Sequence, residues 1–417
     1  MTTLKNGLRL ITVPMKGLES VTVLVGVGSG SRDEAASKAG LSHFLEHMAS
    51  KGTKRRPTPF AIASVIDSLG GEENAGSSKE FTEYWVKIAA RHLEVAFDFL
   101  ADNLKNSIFA LEQIERERKV IIEEINMYQD LPMRQVLDEF EILLYGKTSL
   151  GRDIAGSKKT VVRIKQADFF DHLRHFYQAA NMVVVVAGRF SVSKVKKLAG
   201  QYLGDFRAGP VRARKSLEFS QGQARLKLIY KKTDQAHFCF GVPGVSYLHP
   251  DRFVVSVLAS ILGYSRTSRV YRRIREERGW AYYVYTVPEF YSDVGALYAQ
   301  AGVTLDKISD SLRLIREEYF KLVMKKVDRR ELKRAKDYLK GQFILALEDS
   351  FNVASRYGIQ AVVEGKIRTP QEFLAEIDKV TAEDIIRVSR NLFKPEKLNL
   401  AIIGPYKNKE DFWKILK

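Results

Sequence analysis

Gly40-Leu41-Ser42-His43-Phe44-Leu45-Glu46-His47-Met48 is the stretch from which this 417-residue chain is best read. Only seven histidines occur in the whole sequence, so two of them four apart with an acid between them ask for a reason. On a helix advancing about 100° per residue, His43 and His47 share a face, and Glu46 lies one turn from His43 on its edge. Two imidazoles so arranged can grip one metal ion while the carboxylate reaches a water beside it. Phe44, Leu45 and Met48 cover the other face, which predicts that both sides of this turn are buried. The competing reading is a pair of core histidines satisfied by backbone carbonyls, with Glu46 pairing a neighbouring lysine.

The rest of the chain bounds what such a site belongs to. Its length exceeds what one hydrophobic core usually serves, so two domains are expected. Apolar residues make up 45% and charged residues 28%, as in ordinary globular protein. The single cysteine, Cys239, excludes an internal disulfide and a cysteine-built metal site. No apolar run is long enough to span a bilayer, so no membrane partner is expected. The stretch from Met1 to Val13 alternates like a strand and lacks a signal peptide's apolar core and cleavage site. A reducing cytoplasm is therefore the expected location. The net charge of +17 suggests affinity for nucleic acid or acidic surfaces. Acids are mixed among the basic residues, however, and even the run from Arg266 to Arg278 holds Glu276 and Glu277. The charge reads as solvated surface that biases substrate choice away from basic peptides, with no nucleic-acid partner.

An internal repeat shows at an offset of about 215 residues. Thr22-Val-Leu-Val-Gly-Val27 has its counterpart in His237-Phe-Cys-Phe-Gly-Val242. Met182-Val-Val-Val-Val-Ala-Gly188 matches Leu398-Asn-Leu-Ala-Ile-Ile-Gly404. Each is a buried strand stopped by glycine and followed by a helical, Lys-rich segment, with long amphipathic helices between the repeated strands of each half. Gly209-Pro-Val-Arg-Ala-Arg-Lys-Ser216 is polar and basic and opens with Gly-Pro, which marks a linker. The expected fold class is α+β: two homologous domains, each a mainly antiparallel sheet packed against helices. The expected bounds are 1–208, a linker at 209–217, and 218–417. At the repeat offset, His43, Glu46 and His47 fall opposite Leu258, Ile261 and Leu262, so the second domain has the helix but no ligands.

A catalytic zinc takes three protein ligands and keeps one position open. The helix expected over Leu111–Tyr128 can supply the third. Its apolar face runs through Ile114, Ile121, Ile125 and Tyr128, and Glu117 and Glu124 project from the edge of that face. Glu123 points to the opposite side. A carboxylate directed into a core needs a cation, so two of them two turns apart suggest one ligand and one supporting acid. The alternative is an edge position from which each reaches solvent. The other five histidines, His92, His172, His175, His237 and His249, read as structural or surface residues.

H-x-x-E-H is the inverted zinc-protease signature, and here the chain resembles the pitrilysin-type, inverted-zincin metallopeptidases. It is most similar to half-length members such as the catalytic beta subunit of mitochondrial processing peptidase. Glu117-Arg-Lys-Val-Ile-Ile-Glu-Glu124-Ile resembles the family's second segment, whose last acid is the ligand and which has another acid seven residues before it. The resemblance implies zinc ligation by His43, His47 and Glu124, one Zn2+ per chain, with Glu117 in support. Gly70-Gly-Glu-Glu-Asn74-Ala75 through Tyr84 resembles the active-site strand, implying substrate binding at Asn74 and Ala75. Read from residues alone, that strand is either an edge able to pair a peptide backbone or an ordinary hairpin. Ser268 through Tyr282 resembles the segment whose arginine and tyrosine complete the site, here Arg275 and Tyr282. Without the resemblance, Arg275 is one arginine among many in a basic helix and reads as solvent-facing.

The implied activity is hydrolysis of short or unfolded peptides by a metalloendopeptidase, with Glu46 as general base towards the attacking water. The implied assembly is a clam-like chamber, formed as a homodimer or as a heterodimer with a related subunit. A non-catalytic scaffold or partner subunit is the alternative, and retention of the ligand set argues against it. A nucleic-acid-binding protein rests on charge alone.

Overall fold

The computed structural model describes residues 1–210, 214–217 and 219–417. These form two compact units. The first comprises Met1–Asn126, Arg152–Lys215 and Leu345–Ile367; the second comprises Met127–Gly151, Ser216–Ile344 and Arg368–Lys417.

The first unit is built on six strands: β1 (Thr2–Thr3), β2 (Arg9–Pro14), β3 (Ser20–Val27), β4 (Glu72–Ser77), β5 (Thr82–Ala89) and β6 (Met182–Gly188). They lie in the order β1-β2-β6-β3-β5-β4, antiparallel except for the parallel pair β2 and β6. The expected N-terminal strand is thus a hairpin, turned where Gly7 takes φ 92°, a left-handed conformation that favours glycine. The second unit holds β7 (Arg225–Tyr230), β8 (Gln235–Gly244), β9 (Ala281–Phe290), β10 (Gly295–Thr304) and β11 (Asn399–Gly404). Their order, β7-β11-β8-β10-β9, again has one parallel pair, β7 and β11. Each position matches β2-β6-β3-β5-β4 shifted by five strands, so the sequence repeat is a repeat of topology. The fold class is α+β, two sheets packed with helices.

The valine run of β6 is buried along its whole length because both faces of the sheet are covered. Val184 and Val186 join Val23, Val25, Phe44 and Phe97 in the main core of the first unit. Val183, Val185 and Ala187 face the other way, with Ile11 and Leu24, and meet Val353, Ala354 and Tyr357 of the helix Ser350–Ile359. The second sheet repeats the pattern. Phe238, Phe240, Leu400 and Ile402 enter its main core, while Cys239, Ala401 and Ile403 meet Val136, Phe140 and Leu144 of the helix Pro132–Tyr145.

The units therefore differ from two contiguous halves of the chain. They change over between Lys215 and Ser216, inside the expected linker at 209–217, but 127–151 belongs to the second unit and 345–367 to the first. Val211–Ala213 of that linker, and Glu218 beyond it, lie outside the described residues. Arg214 is held within the first unit by Asp33, at 2.9 Å, and by Glu80.

Candidate metal centre and active site

The helix Leu41–Met48 follows a turn that only glycine suits: Gly40 takes φ 96°, and a Cβ there would lie 2.5 Å from the Ala155 carbonyl oxygen. The helix N-terminus is met by the buried Glu34 carboxylate, which accepts from the Gly40 and Ser42 amides. That charge complements the positive end of the helix. Burial nevertheless pushes the Glu34 carboxyl up to about 7, against these hydrogen bonds. Phe44, Leu45 and Met48 anchor the opposite face in the core, so the imidazoles of His43 and His47 are presented rigidly.

The third and fourth groups come from the helix Leu111–Asp130. Ile114, Ile121 and Ile125 bury one face, and Glu117 and Glu124 extend from its edge towards the histidines. His43 Nε2 lies 3.3 Å from His47 Nε2. Glu124 Oε2 lies 3.6 Å from the first and 3.5 Å from the second. Among the described residues this is the one cluster of three or more His, Cys, Asp or Glu side chains disposed to hold an ion. A tetrahedral zinc with bonds of about 2.0–2.1 Å sets its ligand atoms about 3.3–3.4 Å apart, so the donor set fits such an ion.

Glu117 Oε2 lies 3.2 Å from His47 Nδ1, and its Oε1 accepts from Lys51 Nζ at 2.9 Å. With Nδ1 donating to Glu117, the Nε2 lone pair of a neutral His47 points at the ion position. Burial lowers the proton affinity of His47, but hydrogen bonds to Glu117 and Glu124 more than offset it and carry the metal-free value to about 9. His43 moves down, through burial and the neighbouring His47 charge. Burial opposes ionisation of Glu117, yet His47 and Lys51 hold its carboxyl below the usual range.

Glu46 Oε2 is buried and has no hydrogen-bond partner in the protein. Glu46 and His47 line a cavity of about 240 Å³, whose opposite rim includes Asn74 and Ala75 of β4. Among the described residues this strand is the sheet's edge, paired only to β5, and Asn74 Oδ1 accepts from the Ala75 amide. Its free edge has the hydrogen-bonding capacity that an added strand needs.

Arg275 and Tyr282 lie in the second unit. Arg275 is half-buried rather than solvent-facing: its guanidinium lies 5.4 Å from the Tyr271 ring and 5.8 Å from the Tyr282 ring, and it donates to the Tyr282 carbonyl. Tyr271 one turn before Arg275 was the available signal. The Tyr282 side chain is 75% exposed. The sequence reading did not single out Lys51 or Glu34. Lys51 sits four residues past His47, a spacing that could have marked it, whereas nothing local distinguishes Glu34.

Comparison with known proteins identifies the family. Residues 11–158 match the family profile described as insulinase, peptidase family M16, and residues 163–339 match the peptidase M16 inactive domain. An uncharacterized zinc protease of Mycobacterium leprae is 36% identical, over 98% of this chain and 92% of its own. The uncharacterized zinc protease YmxG of Bacillus subtilis is 33% identical, over 97% of this chain and 98% of its own. Among solved structures, a protease from Helicobacter pylori superposes with a TM-score of 0.91 at 22% identity, covering 97% of this chain and 98% of its own. A chain of complex III2 from Candida albicans gives 0.85 at 18% identity, covering 99% of each, so the fold is shared by proteins of different roles. With two profiles of the family matched in succession and relatives above 30% identity over nearly the whole chain, the chain belongs to peptidase family M16, the insulinase family.

Proposed function

We propose that this protein is a zinc-dependent endopeptidase acting on short or unfolded peptides, with one zinc held by His43, His47 and Glu124. The observation that carries the reading is the triangle of donor atoms, 3.3–3.6 Å on each side, with the unpartnered Glu46 carboxylate beside it on a cavity. Zinc there supplies a Lewis acid that brings a water's pKa towards neutrality and polarises a carbonyl. Glu46 takes the proton from the attacking water and hands it to the leaving amine. Glu117 positions His47 through Nδ1, and Lys51 holds Glu117 in place. The free edge of β4, at Asn74 and Ala75, pairs with substrate backbone, which fixes the peptide while tolerating varied side chains.

The family resemblance assigns Arg275 and Tyr282 to the substrate carbonyl and the oxyanion. It also suggests a chamber formed by two chains, either a homodimer or a pairing with a related subunit. No described helix is long and apolar enough to cross a membrane. A cytoplasmic location remains part of the proposal, supported by the lone, buried Cys239. The alternative, a non-catalytic partner subunit, is disfavoured by the intact donor triangle.

Digestion of a mixed peptide library by wild type and by Glu46→Gln tests the reading. Turnover should fall by roughly 10²–10⁴-fold in the variant while zinc content by metal analysis stays at wild-type level. Equal rates for the two proteins would discard the scheme.

A further inference from the structure

The cavity beside the metal-ligand triangle has a polar group that the reaction scheme does not use. One wall comes from the helix Leu93–Asn106, whose Phe99, Leu100, Asn103 and Leu104 share a face at spacings of one, four and five residues. Tyr84 and Glu46 also line it. Three of these helix residues are apolar, so the wall suits a large apolar side chain. Asn103 is the exception. It is 7% exposed, and its Oδ1 is buried with no hydrogen-bond partner in the protein. Its main-chain carbonyl is satisfied by Ser107 Oγ at 2.6 Å, so only the side-chain amide is left wanting. Buried carbonyl oxygens are rarely left unpaired, and one on the wall of a substrate-sized cavity is suited to a ligand donor.

Glu46 fixes which substrate residue the cavity receives. Because Glu46 delivers the proton to the leaving amine, the cavity it lines lies on the side of the residue that carries that amine. We infer that this cavity takes the side chain immediately after the scissile bond, and that Asn103 makes it favour tyrosine over phenylalanine. This inference rests on the peptidase reading above and names a preference within it. The ring packs against Phe99, Leu100 and Leu104. Its hydroxyl meets the Asn103 amide, and a phenol both donates and accepts, so it satisfies that amide in either orientation.

Two peptides differing only in tyrosine or phenylalanine after the cleaved bond provide the test. With wild type, kcat/KM should favour tyrosine roughly three- to tenfold, the worth of one net hydrogen bond. Asn103→Leu keeps the shape and removes the amide, and should bring the ratio to unity or below, chiefly through KM. Asn103→Ala serves if thermal melting shows that the leucine variant does not fold. Binding of both peptides to Glu46→Gln should show the same tyrosine preference without turnover. Equal cleavage of the two peptides by wild type would overturn the inference and leave the peptidase reading standing. A tyrosine preference that survives both Asn103 variants would remove Asn103 from it. Cleavage of library peptides but of neither test peptide would overturn the inference alone, whereas failure of wild type to cleave any peptide of a mixed library would bring down both readings.

Discussion

The helix Leu41–Met48 and its counterpart Arg252–Ala259, continued by the wide turn Ser260–Tyr264, follow equivalent strands of the same topology and have opposite characters. In the first unit, one face of the helix presents His43 and His47 and the other is core. In the second, Leu258, Ile261 and Leu262 are all buried hydrophobics. One copy gives up packing for a polar cluster that is costly to bury without an ion; the other keeps a continuous apolar core. The lesson is that the repeat preserves the scaffold while the chemistry sits in a few substitutions on one face.

The comparison can be broken at its strongest point first. Glu124→Ala removes a corner of the donor triangle and should abolish stoichiometric zinc binding, measured by metal analysis after dialysis. The metal-free variant should melt no lower than metal-free wild type, because a carboxylate crowded among polar groups has gone. Retained zinc would remove Glu124 from the ligand set. In the second unit the expectation reverses. Leu258→Ala should destabilise the protein by about 2–5 kcal/mol in denaturant unfolding, with zinc content unchanged in the folded protein.

A smaller effect is expected from Glu117→Gln, which weakens the grip on His47 without removing a ligand. Zinc affinity should fall about 10–100-fold in competition with a chelator. The smallest signal is a proton. His47 in the metal-free protein is raised to about 9, so it is protonated at neutral pH, whereas zinc requires the neutral ring. Zinc uptake at neutral pH should therefore release about one proton, and affinity should rise with pH until about 9 and then level off. Calorimetry in buffers of different ionisation enthalpy reads the proton count, and no release would contradict the arrangement of Glu117 and Glu124 around His47.

The metal cluster was legible because helical periodicity is a local rule. Spacings of three and four gave the faces of His43, Glu46 and His47, and a spacing of seven aligned Glu117 with Glu124. Which of the two acids ligates was not legible from periodicity, since both project from the same edge; the family resemblance chose Glu124. The exchange of helices was also hidden. The amphipathic pattern of Pro132–Tyr145 or Ser350–Ile359 says that one face is covered, not which sheet covers it. The uninterrupted valines of β6 did mark a buried strand. Arg275 was picked out by the resemblance and not by its own pattern: a cation among many is distinguished only by the rings it stacks on, and one of those, Tyr282, comes from across a turn. Asn103 had no pattern at all, because a single amide on an apolar helix face looks like any other polar interruption.

The helix Ser350–Ile359 lies against β2, β3 and β6 although some 160 residues of chain separate it from β6. A fragment ending at Lys215 would leave Ile11, Leu24, Val183 and Val185 bare to water, and one starting at Ser216 would carry an orphaned helix and miss its own cover. Nicking the backbone at the linker should therefore yield two pieces that stay clasped and co-purify, whereas either piece expressed alone should aggregate.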